Sequence, residues 1–295
     1  MIRSFKFALL AMTLGLLPAV PLVQAEPLVW GVVPLPGAFN VHNGQVTGGI
    51  LFDSMRLLEA QLPELQMRYK VLPMSRIKQH MDALDNLCSN GHLQSAERDR
   101  VGYFVPLMLF TPIHVLVRRQ TLDQLLIEDG KVSLDWLFGR TYLRGALAKS
   151  RVYPEEIRER LHQAQVEGRI QALGGSMAGE NLLLMVSHGR LDYVFDYPLI
   201  YTEVARHFSL SEPLVSVPLR ESPHLVQVGI YCPRNAWGAR MAMHLDHAIR
   251  EISAQPETLL ALYRRWLPPQ VYGHYREELL RFFQQRAAAS ALVLD

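Results

Sequence analysis

Apolar and polar positions recur at two different spacings along the first third of the chain. Residues 27–33 are apolar and β-branched, which predicts a strand, whereas the apolar residues within 50–62 recur every three or four positions, which predicts a helix. Residues 66–72 alternate between apolar and polar and predict a second strand, and residues 74–84 predict a second helix. This order of strand, helix, strand and helix is typical of an α/β unit with parallel strands.

The middle of the chain resumes this order after a long apolar run, residues 101–119, that two prolines interrupt. The predicted helices cover 133–138, 154–165, 180–188 and 198–208, and the predicted strands cover 140–143, 169–173 and 191–195. The remaining elements are a strand at 225–231, helices at 236–253, 256–266 and 269–286, and a tail expected to fray. The pattern therefore predicts two α/β units in series, with the chain crossing between them near 113–118 and 225–231.

The first 25 residues have the pattern of a secretory signal peptide. Arg3 and Lys6 precede a short apolar run at 7–17, and Val23-Gln24-Ala25 fits the small-x-small rule for cleavage after Ala25. An uncleaved N-terminal anchor is the alternative, but the run is shorter than the roughly 20 residues that span a bilayer. We therefore expect export to the periplasm and a soluble mature protein.

Charge and composition exclude some classes of partner. Removal of 25 residues from the 295 leaves 270, and the loss of two positive charges lowers the formal net charge from +2 to zero. A neutral chain with dispersed charges argues against nucleic acid or an anionic membrane as partner. The hydrophobic content of 49% is ordinary for a globular core.

The chain has two cysteines, Cys88 and Cys232. In a protein exported to an oxidising compartment, such a pair is expected to form a disulfide rather than to stay as two free thiols. No CxxC motif is present, so neither a redox site nor a zinc site is indicated. Elsewhere, His244 and His247 share a helix face without a third ligand, and residues 174–178 are one residue short of a GxSxG motif. We expect no metal and no cofactor.

Four segments, in this order, resemble the family 3, or polar-amino-acid type, of extracellular solute-binding proteins. Residues 29–39 resemble the first strand and its ligand-facing turn, and residues 48–53 resemble the start of the first helix. Residues 95–106 are similar to the family's TxER segment, and residues 189–196 to its GRxD segment. Residues 180–190 resemble a branch of the family other than its well-studied amino-acid binders.

The resemblance implies a two-lobed α/β fold of type II, the Venus flytrap, with a mixed sheet flanked by helices in each lobe. Lobe one would comprise residues 26–115 and 226–295, lobe two residues 116–225, and two hinge strands would join them. A small ligand would bind in the cleft between the lobes. Cys88 and Cys232 would both lie in lobe one, where a disulfide would not block hinge motion.

The resemblance also assigns ligand contacts to charged residues. Arg98 matches the arginine that clamps a ligand carboxylate, for which the planar guanidinium fork is suited. Its alternative is a surface arginine paired with Glu97 or Asp99. Asp196 matches the carboxylate that receives a ligand ammonium, and its alternative is an N-cap for the helix at 198–208.

Three further residues are candidates for the same cleft. Phe39 would cover the apolar part of the ligand, or else pack in the core. Arg76 would supply a second cleft arginine, or else lie on an exposed helix face, and Tyr197 would also contact the ligand. The hydroxyl groups typical of amino-acid binders are missing at 90–93 and at 145–148. The ligand is therefore better described as a small carboxylate-bearing molecule than as a standard amino acid.

These residues predict a monomeric solute carrier that has no enzymatic activity. It would bind a small ligand reversibly and deliver it to the permease of an ABC transporter. One alternative is a sensor that engages a membrane receptor through the same fold. Another is a lyase resembling the periplasmic cyclohexadienyl dehydratases, in which Glu180 or Asp196 would act as a general acid.

Overall fold

The computed structural model describes residues 26–149, 151, 153–175, 177–222 and 224–294. The predicted signal peptide at 1–25 lies outside the described residues. Within the described ranges, every helix is either too short or too polar to cross a membrane.

The described part of the chain contains twelve strands and eleven helices. The strands are β1 (Glu26–Val32), β2 (Asn40–His42), β3 (Gln45–Gly48), β4 (Leu65–Val71), β5 (Cys88–His92), β6 (Gly102–Phe110), β7 (His114–Arg118), β8 (Gly145–Ala148), β9 (Ile170–Leu173), β10 (Tyr193–Asp196), β11 (Leu214–Pro218) and β12 (Val226–Pro233). The helices are α1 (Ile50–Gln61), α2 (Met74–Asp82), α3 (Ala96–Asp99), α4 (Arg119–Leu122), α5 (Leu134–Phe138), α6 (Glu155–Val166), α7 (Ala178–Ser187), α8 (Pro198–His207), α9 (Ala236–Ser253), α10 (Pro256–Trp266) and α11 (Pro269–Ala288).

The strands form two separate five-stranded sheets and a small β2–β3 hairpin. The first sheet has the order β4-β1-β5-β12-β6, and the second has the order β11-β7-β10-β8-β9. In the first, β1 runs parallel to β4 and β5, whereas β12 runs antiparallel to β5 and β6. In the second, β8 runs parallel to β9 and β10, and β7 runs antiparallel to β10 and β11. Both sheets are mixed and flanked by helices, as predicted, and we call the two units lobe one and lobe two.

The chain passes between the lobes twice. It leaves lobe one between β6 and β7, and it returns between β11 and β12. Because β12 inserts between β5 and β6, the returning strand is central in the first sheet rather than at its edge. Parallel β1, β4 and β5 are joined through helices, which is the connection that parallel pairing requires.

The disulfide predicted from the sequence is confirmed. Cys88 and Cys232 are bonded with their Cα atoms 4.2 Å apart, and both side chains are fully buried. They lie on the antiparallel neighbours β5 and β12, so both belong to lobe one. The bond ties the strand that returns from lobe two to a strand that precedes it by 144 residues.

Two sequence predictions are wrong in detail. The strand predicted at 140–143 lies instead at Gly145–Ala148, where all four residues are buried and the Tyr193 ring packs against Gly145. The C-terminal segment does not fray directly after 286. Helix α11 continues to Ala288, and the backbone N–H of Leu292 donates to Asp246 Oδ2 at 3.1 Å.

The lobes contact each other beside the cleft between them. The Arg206 guanidinium on α8 lies 4.3 Å from the ring centre of Trp266 on α10, an arrangement of cation and aromatic face that is attractive. The indole N–H of Trp266 in turn donates to Asp53 Oδ2 at 2.7 Å. These contacts join a helix of lobe two to two helices of lobe one.

A buried histidine links the start of lobe two to the C-terminal helix. His114 begins β7, and its two ring nitrogens lie 2.9 Å from Ser216 Oγ and 3.1 Å from the Tyr275 hydroxyl of α11. Burial, with a smaller contribution from His274, lowers the pKa of His114 to about 3. The imidazole is therefore neutral in the folded protein at neutral and mildly acidic pH.

The histidine makes stability depend on pH. Because its folded pKa lies below the unfolded value of about 6.5, its contribution is complete above pH 6.5 and is lost as the pH falls toward the folded pKa. Between pH 6.5 and pH 5, protonation of His114 in the unfolded protein is expected to lower the free energy of unfolding by roughly 2 kcal/mol. Urea unfolding at both pH values should show a smaller acid loss in His114→Gln, whereas exposed His162→Gln should behave like the unmodified protein. An equal acid loss in all three proteins would contradict this assignment.

Candidate functional site

A cleft of about 1250 Å³ lies between the two lobes. Lobe one contributes the turn after β1, the β2–β3 hairpin and the end of β5. Lobe two contributes the start of α7, one face of α8 and the residue after β10. Most of the lining is apolar, with a few polar groups among it, which is the usual character of a small-molecule site.

The turn after β1 is built by hydrogen bonds that bring it against lobe two. The backbone N–H of Gly37 donates to Asn40 Oδ1 at 2.7 Å, and that of Phe39 donates to Leu35 O at 2.8 Å. Gly37 has a φ of 78°, and a Cβ there would stand 2.5 Å from the carbonyl oxygen of Leu199. Glycine is therefore needed both for the backbone conformation and for the close approach of the lobes.

Lobe two places an ion pair in the wall of the cleft. Arg151 Nε donates to Asp196 Oδ1 at 2.9 Å, and a second guanidinium nitrogen donates to Oδ2 at 3.2 Å. The backbone N–H of Tyr197 also donates to Oδ1, at 2.9 Å. Asp196 is 0% exposed at the end of β10, whereas Arg151 lines the cleft.

Gly179, in the first turn of α7, leaves space for this pair. A Cβ at that position would lie 2.2 Å from an Arg151 guanidinium nitrogen and 2.9 Å from Asp196 Oδ2. The guanidinium thus packs against the N-terminal turn of the helix. A larger residue there would displace Arg151 from Asp196.

Burial and ion pairing act in opposite directions on the aspartate. Burial raises the pKa of the Asp196 carboxyl, and the Arg151 guanidinium and the Tyr197 N–H oppose that rise. The same carboxylate raises the pKa of Arg151 against the effect of its own burial. Burial also raises the pKa of the Tyr197 phenol, so this group faces the cleft as a neutral hydroxyl.

Two further polar groups line the cleft with unused hydrogen-bonding capacity. Asn90 is 6% exposed, and its Oδ1 accepts from Gly91 N at 2.6 Å, but its Nδ2 has no partner in the part of the chain that the structure describes. Glu180 is half-buried on α7 and lies within no described ion pair or hydrogen bond. A buried donor without a partner is costly, which makes Asn90 a natural contact for a ligand acceptor.

The structure separates the residues that the sequence predicted for one site. Phe39, which is 2% exposed, lines the cleft while packing in the core, and Tyr197 lines it as well. Asp196 is paired with Arg151, which separates it from the cleft. It does not cap α8, because Tyr197 stands at the N-cap position of that helix. The predicted roles of these residues in ligand binding stay predictions.

The two predicted arginines lie elsewhere. Arg98 is exposed and donates to the carbonyl oxygen of Leu93 at 3.0 Å. It lines a separate cavity of about 150 Å³ between α2, β5 and β12. Arg76 is exposed on α2 and donates to Gln79 at 3.0 Å. Neither residue lines the large cleft, so a clamping role for Arg98 also stays a prediction.

Three cleft residues were not predicted as ligand contacts, namely Arg151, Glu180 and Asn90. One clue was available, since a carboxylate at the end of an apolar strand needs a partner. The sequence did not identify that partner, because Arg151 lies 45 positions away and belongs to no recognised motif. Within the described ranges, no three His, Cys, Asp or Glu side chains are grouped to hold a metal ion.

The sequence matches no family model and no curated protein. Solved structures, by contrast, superpose over most of their length. An ancestral cationic amino acid solute-binding protein has a TM-score of 0.63 at 16% identity, covering 83% of this chain and 97% of its own. The probable amino-acid ABC transporter extracellular-binding protein ytmK of Bacillus subtilis has a TM-score of 0.59 at 16% identity, covering 82% and 99%.

Sensor proteins share the same architecture. A histidine kinase sensor domain with similarity to periplasmic binding proteins has a TM-score of 0.56 at 15% identity, covering 83% of this chain and 97% of its own. Identities this low show the fold and not the ligand. The predicted fold is confirmed: this chain has the two-lobed Venus flytrap fold of the extracellular solute-binding proteins.

Proposed function

We propose that this protein binds a small carboxylate-bearing solute in the interlobe cleft and delivers it to a membrane importer. One observation carries the proposal: Arg151 lies in the cleft wall with one edge of its guanidinium held by Asp196 and the opposite nitrogen free of described partners. A guanidinium fixed in this way is oriented before the ligand arrives. Less side-chain entropy is then lost when the ligand binds.

The geometry of the pair defines what it can hold. Asp196 takes Nε and one N–H of a terminal nitrogen, so the second N–H of that nitrogen and both N–H groups of the other terminal nitrogen remain for a ligand. A carboxylate matches two such donors because its oxygens accept parallel hydrogen bonds. Asn90 Nδ2, on the opposite lobe, supplies a further donor. A ligand that used both would bridge the lobes and favour their closure.

Delivery to an importer and a periplasmic location are supported indirectly. The predicted signal peptide would export the chain, and the similar protein ytmK of Bacillus subtilis is a probable amino-acid ABC transporter extracellular-binding protein. The alternative, ligand sensing for a membrane receptor, is supported by the likeness to a histidine kinase sensor domain. Either role uses the same cleft and the same closing motion.

Thermal unfolding of the mature protein tests the assignment of Arg151. A panel of amino acids, polyamines and small carboxylates is expected to contain a carboxylate-bearing ligand that, at 100 times its Kd, raises Tm by about 5 °C. Arg151→Lys keeps the charge beside Asp196 but loses the planar fork, so the shift should largely disappear. The control, Arg98→Ala, should retain it. If the shift is lost in Arg98→Ala alone, Arg98 and not Arg151 binds the ligand carboxylate. If no ligand shifts Tm, the proposal is contradicted.

A further inference from the structure

The two lobes touch at a place that does not line the cleft. Arg206, near the end of α8, lies with its guanidinium 4.3 Å from the ring centre of Trp266 in α10 and donates a hydrogen bond to the carbonyl oxygen of Arg265. We call these two interactions the rim contact. None of the three residues belongs to the described lining of the cleft. A ligand in the cleft is therefore not needed to form the rim contact.

Lobe one fixes its half of the rim contact by hydrogen bonding and burial. The indole N–H of Trp266 donates to Asp53 Oδ2 on α1 at 2.7 Å, and Trp266 is only 3% exposed. Arg265 Nη1 lies 3.6 Å from the same carboxylate. The ring is thus held in one orientation, with its face available to a cation from lobe two.

Lobe two places a counterion beside its arginine. Glu203, one turn earlier on α8, has a carboxylate oxygen 4.0 Å from Arg206 Nη1, and its side chain is 12% exposed. The charges around the rim contact balance, because Glu203 and Asp53 offset Arg206 and Arg265. Repulsion between the two arginines therefore does not drive the lobes apart.

Apolar residues extend the contact between the lobes. Val204 and Leu199 on α8 are 1% and 2% exposed, and they belong to the same apolar cluster as Trp266 and Leu267 of lobe one. The carbonyl oxygen of Leu199 lies so close to Gly37 that a Cβ there would stand 2.5 Å from it. Separation of the lobes would return part of this apolar surface to water, which is unfavourable.

We infer that the rim contact holds the lobes together in the absence of ligand, so that the lobes touch in most unliganded molecules. The motion expected from the sequence is different, because there the ligand draws the lobes together. Here a ligand would enter during transient separation of the lobes and then stabilise an arrangement that the chain already favours. Loss of a cation from a desolvated aromatic face is expected to lower the ratio of touching to separated molecules about tenfold. This property goes beyond the proposed function, since it holds whatever the cleft binds.

Pulsed electron paramagnetic resonance on the mature protein without ligand tests the inference. Unfolding and refolding with the disulfide intact first removes any bound small molecule. Spin labels are placed at Gln45→Cys and Ser209→Cys, exposed positions on opposite lobes beside the cleft, and the native cysteines do not react because they are bonded to each other. With no further substitution, about nine-tenths of the label pairs should show the distance that the structure gives for these sites. Arg206→Ala should make the touching and separated populations about equal.

The matched control is Arg264→Ala. Arg264 is exposed on α10 beside the rim contact, and its described partner, Glu257, lies on the same helix. This variant should leave the distances unchanged, and the Tm of each variant shows whether it folds. The inference is overturned if most unmodified molecules show a longer distance, if Arg206→Ala leaves the distances unchanged, or if Arg264→Ala changes them equally. Because every sample lacks ligand, none of these outcomes bears on the proposed function, and failure of the ligand panel leaves this inference standing.

Discussion

Replacing Arg151 with methionine is expected to lower the free energy of unfolding by about 3–5 kcal/mol at neutral pH. The substitution removes both guanidinium donors from Asp196, which remains fully buried with only the Tyr197 N–H as a partner. The loss should depend on pH in a defined direction. Without its counterion the aspartate has a folded pKa raised by burial, so the cost is complete above that folded pKa and vanishes below the unfolded value near 3.9.

Urea unfolding at pH 7 and pH 4.5 measures this effect, with the unmodified protein subtracted at each pH. The difference between Arg151→Met and the unmodified protein should be larger at pH 7. The double variant Arg151→Met with Asp196→Asn removes the buried charge and should recover most of the stability, but it should not recover binding of a carboxylate. If the double variant is as unstable as the single one, the guanidinium stabilises the fold through packing and not as a counterion.

Removing the disulfide is expected to have an effect of similar size. The bond closes a loop of 144 residues, and replacing both Cys88 and Cys232 with alanine should cost about 4–5 kcal/mol on the chain-entropy model. Because both cysteines belong to the sheet of lobe one, the loss should fall on the unfolding of that lobe. Ligand affinity should change little at temperatures where the variant is folded, since neither cysteine lines the cleft.

Reduction provides the matched control for the double alanine variant. The unmodified protein treated with a phosphine reductant should unfold at about the same urea concentration as the alanine variant, and the variant itself should not respond to the reductant. A response of the variant would show that the reductant acts elsewhere. Equal stability of oxidised and reduced protein would contradict the predicted contribution of the bond.

The sequence predicts best the long helices, because their buried residues recur every three or four positions. Helices α9 and α10 were placed at their observed bounds because their apolar residues recur on one face over eleven or more positions. The sequence placed β8 five residues too early because its four residues, of which three are glycine or alanine, are all buried and show no alternation of apolar with polar positions. Strand β5 was missed because its residues, Cys-Ser-Asn-Gly-His, are mostly polar, and β11 was missed because its five residues form a short run next to the predicted end of a helix.

The sequence predicted where the cleft lies, but it did not predict which charged residues line it. The motifs indicated which turn and which helix would face the ligand, and Phe39 and Tyr197 do line the cleft. The charged residues were less predictable, because the partner of a buried charge is set by tertiary structure. Asp196 is paired with Arg151, which lies 45 positions away in the sequence, so the sequence pattern alone did not show which charged side chains would line the cleft.

The pairing of β6 with β12 brings the two crossings between the lobes side by side. Phe110, the last residue of β6, stands directly opposite Val226, the first residue of β12, across an antiparallel ladder. Two strands in that relation are ordinarily joined by a short hairpin turn. All of lobe two, together with its sheet and its half of the cleft, therefore occupies the place of a single β-hairpin turn. A chain in which a two-residue turn joins Phe110 to Val226 would retain every strand of the first sheet and the disulfide that ties it.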